Sequence, residues 1–331
     1  MNPHKPSQNG SVMDIRPQDL PELRAELIAF YGKPMVVDWW RTRPTAPALK
    51  ITNSESGYSG AVNPSGDQRR LNEIQRLESA ELFFVAAPMA ELAMAASASM
   101  PAFDLDAEDL PSLTGLIIFE QPIAIDANSE GSGEPMFISG ASWELGRAKA
   151  GGQRGPELLW FSFYVDIYRT WNHEVSNGTM TRAEAARQMG AQPRYAYTMD
   201  AAHLPGRPVS NDDSVLNSWG RVILTAWLLM QQSLADVSEV EPDRAARKRL
   251  RREGHEPAAV RVIELRRPKH SGSEPAESSR NYVHRWITRG HWRQQWYPSR
   301  EVHRPVWIAP HVKGPEGAPM IGGEKVYAWK R

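Results

Sequence analysis

SVLNSWGRVILTAWLLMQQSLADV, the stretch from Ser214 to Val237, decides how the rest of the chain is interpreted. Apolar residues recur in it every three or four positions, which is the spacing of one buried face of an α-helix. These positions are Leu216, Trp219, Ile223, Trp227, Met230, Leu234 and Val237. Asp213, just before the stretch, can cap the first turn. We therefore predict a long helix over about 214–237 that packs on a sheet, with its two tryptophans in the core.

Strand-like segments lie on both sides of this helix in the chain. Leu116 to Phe119, Met136 to Ser142 and Val260 to Leu265 have the apolar and β-branched residues of strands. Leu158 to Val165 is apolar or aromatic on both of its alternating faces, which is typical of a central strand. Helices and strands come in separate runs, without a regular strand–helix–strand alternation. The sequence therefore predicts an α+β fold with a mixed or antiparallel sheet, on which the long helix packs.

The N-terminal third of the chain is predicted to be mainly helical. One helix begins near Asp19 and ends near Gly32, where a glycine can stop it. A second helical segment runs from Asp67 to about Ser99 and is divided by Pro88. Between the two, Met35 to Trp40 is interpreted as a short strand.

Composition divides the chain into four regions. They are a polar, disordered tail at 1–15, a helical N-terminal region at 16–110, an α+β core at 111–243, and a basic region at 244–331 that completes the sheet. The sequence leaves open whether the last two regions form one domain.

Several classes of site are excluded by composition or motif. The 331 residues include no cysteine, which excludes disulfides, zinc ribbons and thiol nucleophiles. No His-Glu-x-x-His pattern and no glycine-rich nucleotide loop occurs, so we expect neither a metal nor a cofactor. No apolar run reaches the ~18 residues of a membrane span, and the polar N-terminus lacks the apolar core of a secretion signal. We expect a cytoplasmic protein that does not act at a membrane.

Charge is distributed unevenly along the chain. Residues 244–331 hold 20 Lys/Arg and 8 Asp/Glu, against 19 and 31 in the rest, from totals of 39 each. This asymmetry indicates a basic end that faces a polyanion, or two parts of the chain that face each other. The acidic run Asp104 to Asp109 is interpreted as a solvated connector.

The stretch from Tyr282 to Pro319, YVHRWITRGHWRQQWYPSREVHRPVWIAPHVKGPEGAP, interleaves four histidines, six Lys/Arg and four tryptophans. It is interpreted as two strands, Val283 to Arg289 and Val302 to Ile308, around a turn, with Pro305 marking the second as an edge or bulged strand. A short final strand is expected at Lys325 to Trp329. Cations that neutralise phosphates, next to aromatic rings that stack on bases, favour nucleic-acid binding. The residues predicted to bind nucleic acid are Arg247, Lys248, Arg249, Arg251, Arg252, Arg289, Arg293, Arg304 and Lys313.

Two other functions remain open on the same residues. A metal-independent ribonuclease of toxin or defence type needs a base, an acid and cations, and His291 and His303 are its candidate catalytic residues. A non-catalytic protein that docks an acidic partner would use the basic end for protein contact. The basic region can also pack against the acidic part of its own chain, which would neutralise its charge. DNA or RNA, base preference and oligomeric state are left undecided.

The basic stretch also carries a family resemblance. HRW at 284–286, RGHWR at 289–293, WYP at 296–298, HRPVWI at 303–308 and KGP at 313–315 resemble a C-terminal signature of uncharacterised proteins from actinobacterial phages, plasmids and integrated mobile elements. TGLI at 114–117 and the strand through Trp143 resemble the middle of the same proteins. The resemblance extends over most of the chain after about Asp67. It implies a mobile-element setting and assigns no catalytic residue.

Overall fold

The computed structural model describes residues 15–42, 49–53, 58–62, 65–126, 135–150, 153–203, 205, 215–266, 283–315 and 318–320. Two of the predicted segments lie outside the described residues. They are residues 1–14 of the tail and the final strand Lys325 to Trp329.

Helices and strands alternate irregularly along the described chain. The helices are α1 Leu20–Tyr31, α2 Pro34–Thr42, α3 Gly66–Ser79, α4 Ala87–Ser97, α5 Ile167–Asn177, α6 Arg182–Ala191, α7 Val215–Met230 and α8 Arg244–Arg252. The strands up to residue 166 are β1 Leu49–Asn53, β2 Tyr58–Val62, β3 Glu81–Val85, β4 Thr114–Phe119, β5 Ala124–Asp126, β6 Met136–Ala150 and β7 Gln153–Asp166. The later strands are β8 Tyr195–His203, β9 Ala235–Val240, β10 Val260–Leu265, β11 Trp286–Thr288, β12 His291–Tyr297, β13 Val302–Ile308 and β14 His311–Lys313.

One mixed sheet of eight strands organises the molecule. Its order is β8-β7-β6-β4-β3-β10-β9, and β5 pairs separately with β6. The pairs β3–β4 and β3–β10 are parallel, and the other pairs in this sheet are antiparallel. Helices and a mixed sheet in this arrangement confirm the predicted α+β class.

α7 packs its apolar stripe on one face of the sheet. Trp227 lies 4.9 Å from Trp143 and 5.6 Å from Phe161, ring centre to ring centre, and Trp219 lies 5.5 Å from Phe163. All five rings are buried, so the tryptophans belong to the core as the spacing predicts.

The predicted C-terminal end of this long helix is wrong. α7 ends at Met230, and a turn in which the Ala235 N–H donates to the Gln232 carbonyl leads directly into β9. Val237 belongs to that strand and pairs with Ile263 of β10. Its side chain is 47% exposed, so it is not part of the helical stripe that its spacing suggested.

The other face of the sheet is covered by α1, α2 and α3, and two predictions in this region are wrong. Met35 to Trp40 lies in helix α2, where Val36 and Trp40, four residues apart, are buried on one face. Glu81 to Val85, predicted to be helical, is strand β3 between β4 and β10. Residues 82–85 are buried one after another, and a short apolar run of this kind does not distinguish a strand from a helix.

A buried polar cluster holds α3 on the sheet. Glu73 pairs with Arg76 within the helix and accepts hydrogen bonds from the hydroxyls of Ser142 and Tyr164. Arg76 also donates to Ser162, 2.8 Å away. Since burial of a charge is costly without partners, this cluster fixes how α3 lies across β6 and β7.

Candidate nucleic-acid interface

The four C-terminal strands form one long two-stranded ribbon. Trp286 of β11 pairs with Lys313 of β14, and Tyr297 of β12 pairs with Val302 of β13. The pairing keeps the same register throughout, so β12–β13 continues β11–β14 across a short break at residues 289–290 and 309–310. The predicted strand at Val302 to Ile308 is confirmed, whereas β12 lies in a segment for which no strand was predicted.

The break in the ribbon coincides with a close contact. A side chain at Gly290 would overlap the indole of Trp307, so the chain can pass here only without a Cβ. Pro310 stands on the opposite strand, and a proline cannot donate a ladder hydrogen bond. Ladder pairing therefore stops at this point while the two strands stay in register.

Strand alternation divides the ribbon into two faces. Trp292 and Trp307 share the inner face and pack into the core beside α7, where the Trp292 indole N–H donates to the Ala96 carbonyl over 2.9 Å. Arg289, His291 and Arg293 share the opposite, outer face, and all three are exposed. We call these three side chains the outer row.

Arg304 anchors the ribbon to the body of the protein. Its guanidinium contacts Asp106 and Asp109 and donates to the Asp104 carbonyl over 2.6 Å. Arg300 adds an ion pair with Glu108 at 2.8 Å. The run Asp104 to Asp109 is therefore a docking site for the ribbon, and its interpretation as a solvated connector is wrong.

Burial at this anchor changes the pKa of Asp109. The pKa of Asp109 is raised above its usual range, mainly by burial, while its hydrogen bond with the Asp106 backbone and the charge of Arg304 oppose the rise. Arg304 is only 7% exposed, so it serves the fold and cannot also face a ligand in solution.

α8 carries the other predicted phosphate-binding residues and lies elsewhere. It packs against α1, on the face of the sheet that carries α1–α3, whereas the ribbon packs on α7 at the opposite face. Arg249 forms two hydrogen bonds with Glu22, at 2.6 and 3.0 Å, and Arg247 pairs with Glu241 at 2.6 Å. Lys248, Arg251 and Arg252 are exposed.

The two candidate catalytic histidines are not brought together. His291 lies on the outer face of the ribbon, and His303 lies on the other face, where its ring is 4.8 Å from that of Trp296. The pairing places them five positions apart along the ribbon, or about 17 Å at the usual rise per residue. Lys313 also lies on the face opposite to the outer row.

The described residues include neither a metal-binding cluster nor a membrane-spanning helix. No group of three or more His, Asp or Glu side chains there could hold a metal ion. No helix in the same part of the chain is long and apolar enough to cross a membrane.

Comparison with known proteins gives little further information. No protein-family model and no curated protein matches the chain. A solved structure, "Crystal structure of AcrVA2", is similar at 13% sequence identity and a TM-score of 0.37, over 90% of this chain and 86% of that one. A likeness at this level assigns no function to the chain.

Proposed function

We propose that the outer row of the ribbon binds the phosphate backbone of nucleic acid. The observation that carries the proposal is a line of exposed basic side chains, Arg289, His291 and Arg293, on the outer face of one strand. Alternate residues of a strand lie about 7 Å apart, so the three can contact successive charges of a polyanion.

The three side chains of this row are exposed, and few acidic residues lie on the described part of the ribbon. Glu301 is the only acidic residue among the described residues of 283–320, and it lies in the turn at the tip. The acidic run reaches the ribbon at Arg300 and Arg304. Arg304 pairs with Gln295, so this contact lies on the same face as the row, beside its Arg293 end. Neutralisation within the chain therefore accounts for part of the basic charge and not for Arg293, which has no ion pair among the described residues.

Aromatic residues at the ribbon tip supply a second kind of contact. Tyr297 shares the outer face with the basic row and is 39% exposed, and Trp296 beside it is 43% exposed. Exposed rings can stack on unpaired bases at about 1–3 kcal/mol per base. Single-stranded DNA or RNA would use both kinds of contact.

A family resemblance in the sequence supports one setting for this activity. The resemblance of the ribbon to proteins of phages, plasmids and integrated mobile elements supports a role on the nucleic acid of such an element.

Labelled single- and double-stranded DNA and RNA test the proposal by fluorescence anisotropy at low and at physiological salt. We expect binding that weakens steeply as salt rises, because phosphate contacts release counterions. A denaturing gel of the same samples reports any cleavage. Binding that is absent or independent of salt would refute the proposal, and RNA cleavage without added metal would establish the ribonuclease instead.

An acidic protein partner is the second candidate, and one observation favours it. Ile287 and Val312, directly opposite each other on the outer face, are 61% and 44% exposed, so apolar surface lies next to the basic row. Arg304 binds carboxylates of its own chain, which supports carboxylates as ligands for the exposed arginines of the ribbon. Absorbance at 260 and 280 nm reports whether the purified protein carries nucleic acid. Protein that carries none and is bound to an acidic protein would support this candidate.

A further inference from the structure

A concave site lies on the face of the sheet opposite to the ribbon. A cavity of about 410 Å³ opens between α1, α2 and β8, which is within the usual range for small-molecule sites. Six aromatic residues line it: Phe30, Tyr31, Trp39, Trp40, Tyr195 and Tyr197. None of the described side chains that line the cavity carries a charge, and the Lys33 ammonium already lies 5.2 Å from the centre of the Phe30 ring. A bound ion would therefore lie mainly among rings.

The rings stand as walls at steep angles to each other. Trp39 and Trp40 are nearly perpendicular, at 87° and 5.4 Å between centres, and Tyr31 meets Trp40 at 74° and 6.3 Å. Tyr197 closes a further side at 55° and 4.7 Å from Trp40. Parallel rings would form a slot for a flat base, whereas walls in several directions surround a compact, rounded group.

The ring faces, and not the charges behind them, are what favours a positive ligand in the cavity. The pKa of Tyr31 is raised well above its ordinary value by burial and by the carboxylates of Glu73 and Asp200, so its hydroxyl lies close to negative charge. Arg76 and Arg69 pair with those two carboxylates, so the charges behind the tyrosines largely offset each other. The electron-rich ring faces are therefore the surfaces that a bound cation would meet.

One of the residues that line the cavity has an unsatisfied polar group. Tyr195 is 4% exposed, and its hydroxyl has no hydrogen-bond partner among the described residues. Buried hydroxyl groups in proteins are nearly always hydrogen-bonded, so one without a partner calls for an explanation. A ligand that brings its own polar group is such an explanation.

We propose that this cavity is an aromatic cage for a compact methylated ammonium ion, of the kind that forms the head of choline. The cation sits among the ring faces, and its methyl groups fill apolar space that a hydrated ammonium would leave. This binding site is independent of the ribbon, so its test does not depend on nucleic-acid binding.

Titration calorimetry with choline chloride tests the cage, with sodium chloride as the ionic-strength control. The matched neutral probe is 3,3-dimethylbutan-1-ol, in which carbon replaces the nitrogen of choline. We expect saturable choline binding, with Kd on the order of 0.1–1 mM, and affinity for the neutral probe at least about tenfold weaker. Absence of choline binding, or equal affinity for the two probes, would overturn the proposal.

A pair of tryptophan variants localises the binding. Trp39 is 49% exposed at the rim of the cavity, and Trp296 is 43% exposed on the ribbon, so the two substitutions remove similar surface. Trp39→Leu should weaken choline binding about tenfold, while Trp296→Leu should leave it unchanged. Unchanged choline affinity in Trp39→Leu would place the cation elsewhere and contradict the cage.

Discussion

Glu26 of α1 makes the stability of the protein depend on pH. Burial, together with repulsion from Glu22 and Glu253, raises the pKa of Glu26 to about 7, against about 4.5 in an unfolded chain. The folded state therefore holds the proton more tightly, and this stabilisation is full below pH 4.5 and is lost as the pH rises through 7.

The substitution Glu26→Gln should remove this loss of folding stability at high pH. We expect the variant to be more stable than the parent at pH 8, by on the order of 2 kcal/mol, with little difference at pH 4.5. Urea unfolding at the two pH values measures it, with Glu91→Gln on the exposed side of α4 as the control. An equal pH dependence in the parent and in Glu26→Gln would contradict the account of this residue.

Glu73 is the residue on which the buried cluster under α3 depends. Glu73→Ala leaves the buried Arg76 guanidinium with only the half-exposed Glu144, 3.9 Å away, as an ion-pair partner, and we expect a loss of about 3–5 kcal/mol of stability. Glu78→Ala, at an exposed position of the same helix, should change stability by less than about 0.5 kcal/mol. Thermal and urea unfolding compare the two, and a small effect of Glu73→Ala would show that the cluster is dispensable.

At the scale of elements, the contact between the ribbon and the acidic run is the part of the fold that is hardest to predict from the sequence. Arg304→Leu removes every contact of this guanidinium and leaves Asp109 buried, so the ribbon should separate from the body locally. Hydrogen exchange of the β12–β13 amides should become faster, while Arg293→Leu on the exposed face should leave it unchanged. Slow exchange in Arg304→Leu would mean that Trp292 and Trp307 hold the ribbon without it.

The elements that the sequence predicts well are those with a clear period. The stripe of α7 and the alternation in Leu158 to Val165 both report burial directly, and the structure confirms them. β3 was missed because four consecutive buried residues have no period, and α2 because its two tryptophans resemble strand residues. Each error reflects pairing or packing with distant parts of the chain, which local pattern does not contain.

The candidate site was predictable in residue type and not in arrangement. Composition indicates exposed basic residues near 289–293, and the structure places them there. Strand register decides that Lys313 and His303 lie on the other face, and it depends on a pairing that spans up to 27 residues. The acidic partners of Arg304 and Arg249 are about 200 residues away in sequence, so no local pattern reveals that these two arginines are already paired.

For the whole molecule, the basic C-terminal quarter is not a single surface. Its exposed arginines are divided between α8, which packs against α1, and the ribbon, which packs on α7 at the other face of the sheet. One stretch of nucleic acid would have to wrap around the edge of the sheet to reach both. We therefore assign binding to the ribbon and expect α8 to contribute little.

The salt dependence of binding in two matched double variants tests this assignment most directly. Arg289→Ala with Arg293→Ala removes two exposed charges from the outer row, and Arg251→Ala with Arg252→Ala removes two from α8. In the ribbon variant, the slope of log K against log salt on duplex DNA should become shallower by about 1.8, while the α8 variant keeps the parent slope. An unchanged slope in the ribbon variant, or an equal loss in both, would contradict the claim that the ribbon is the nucleic-acid interface.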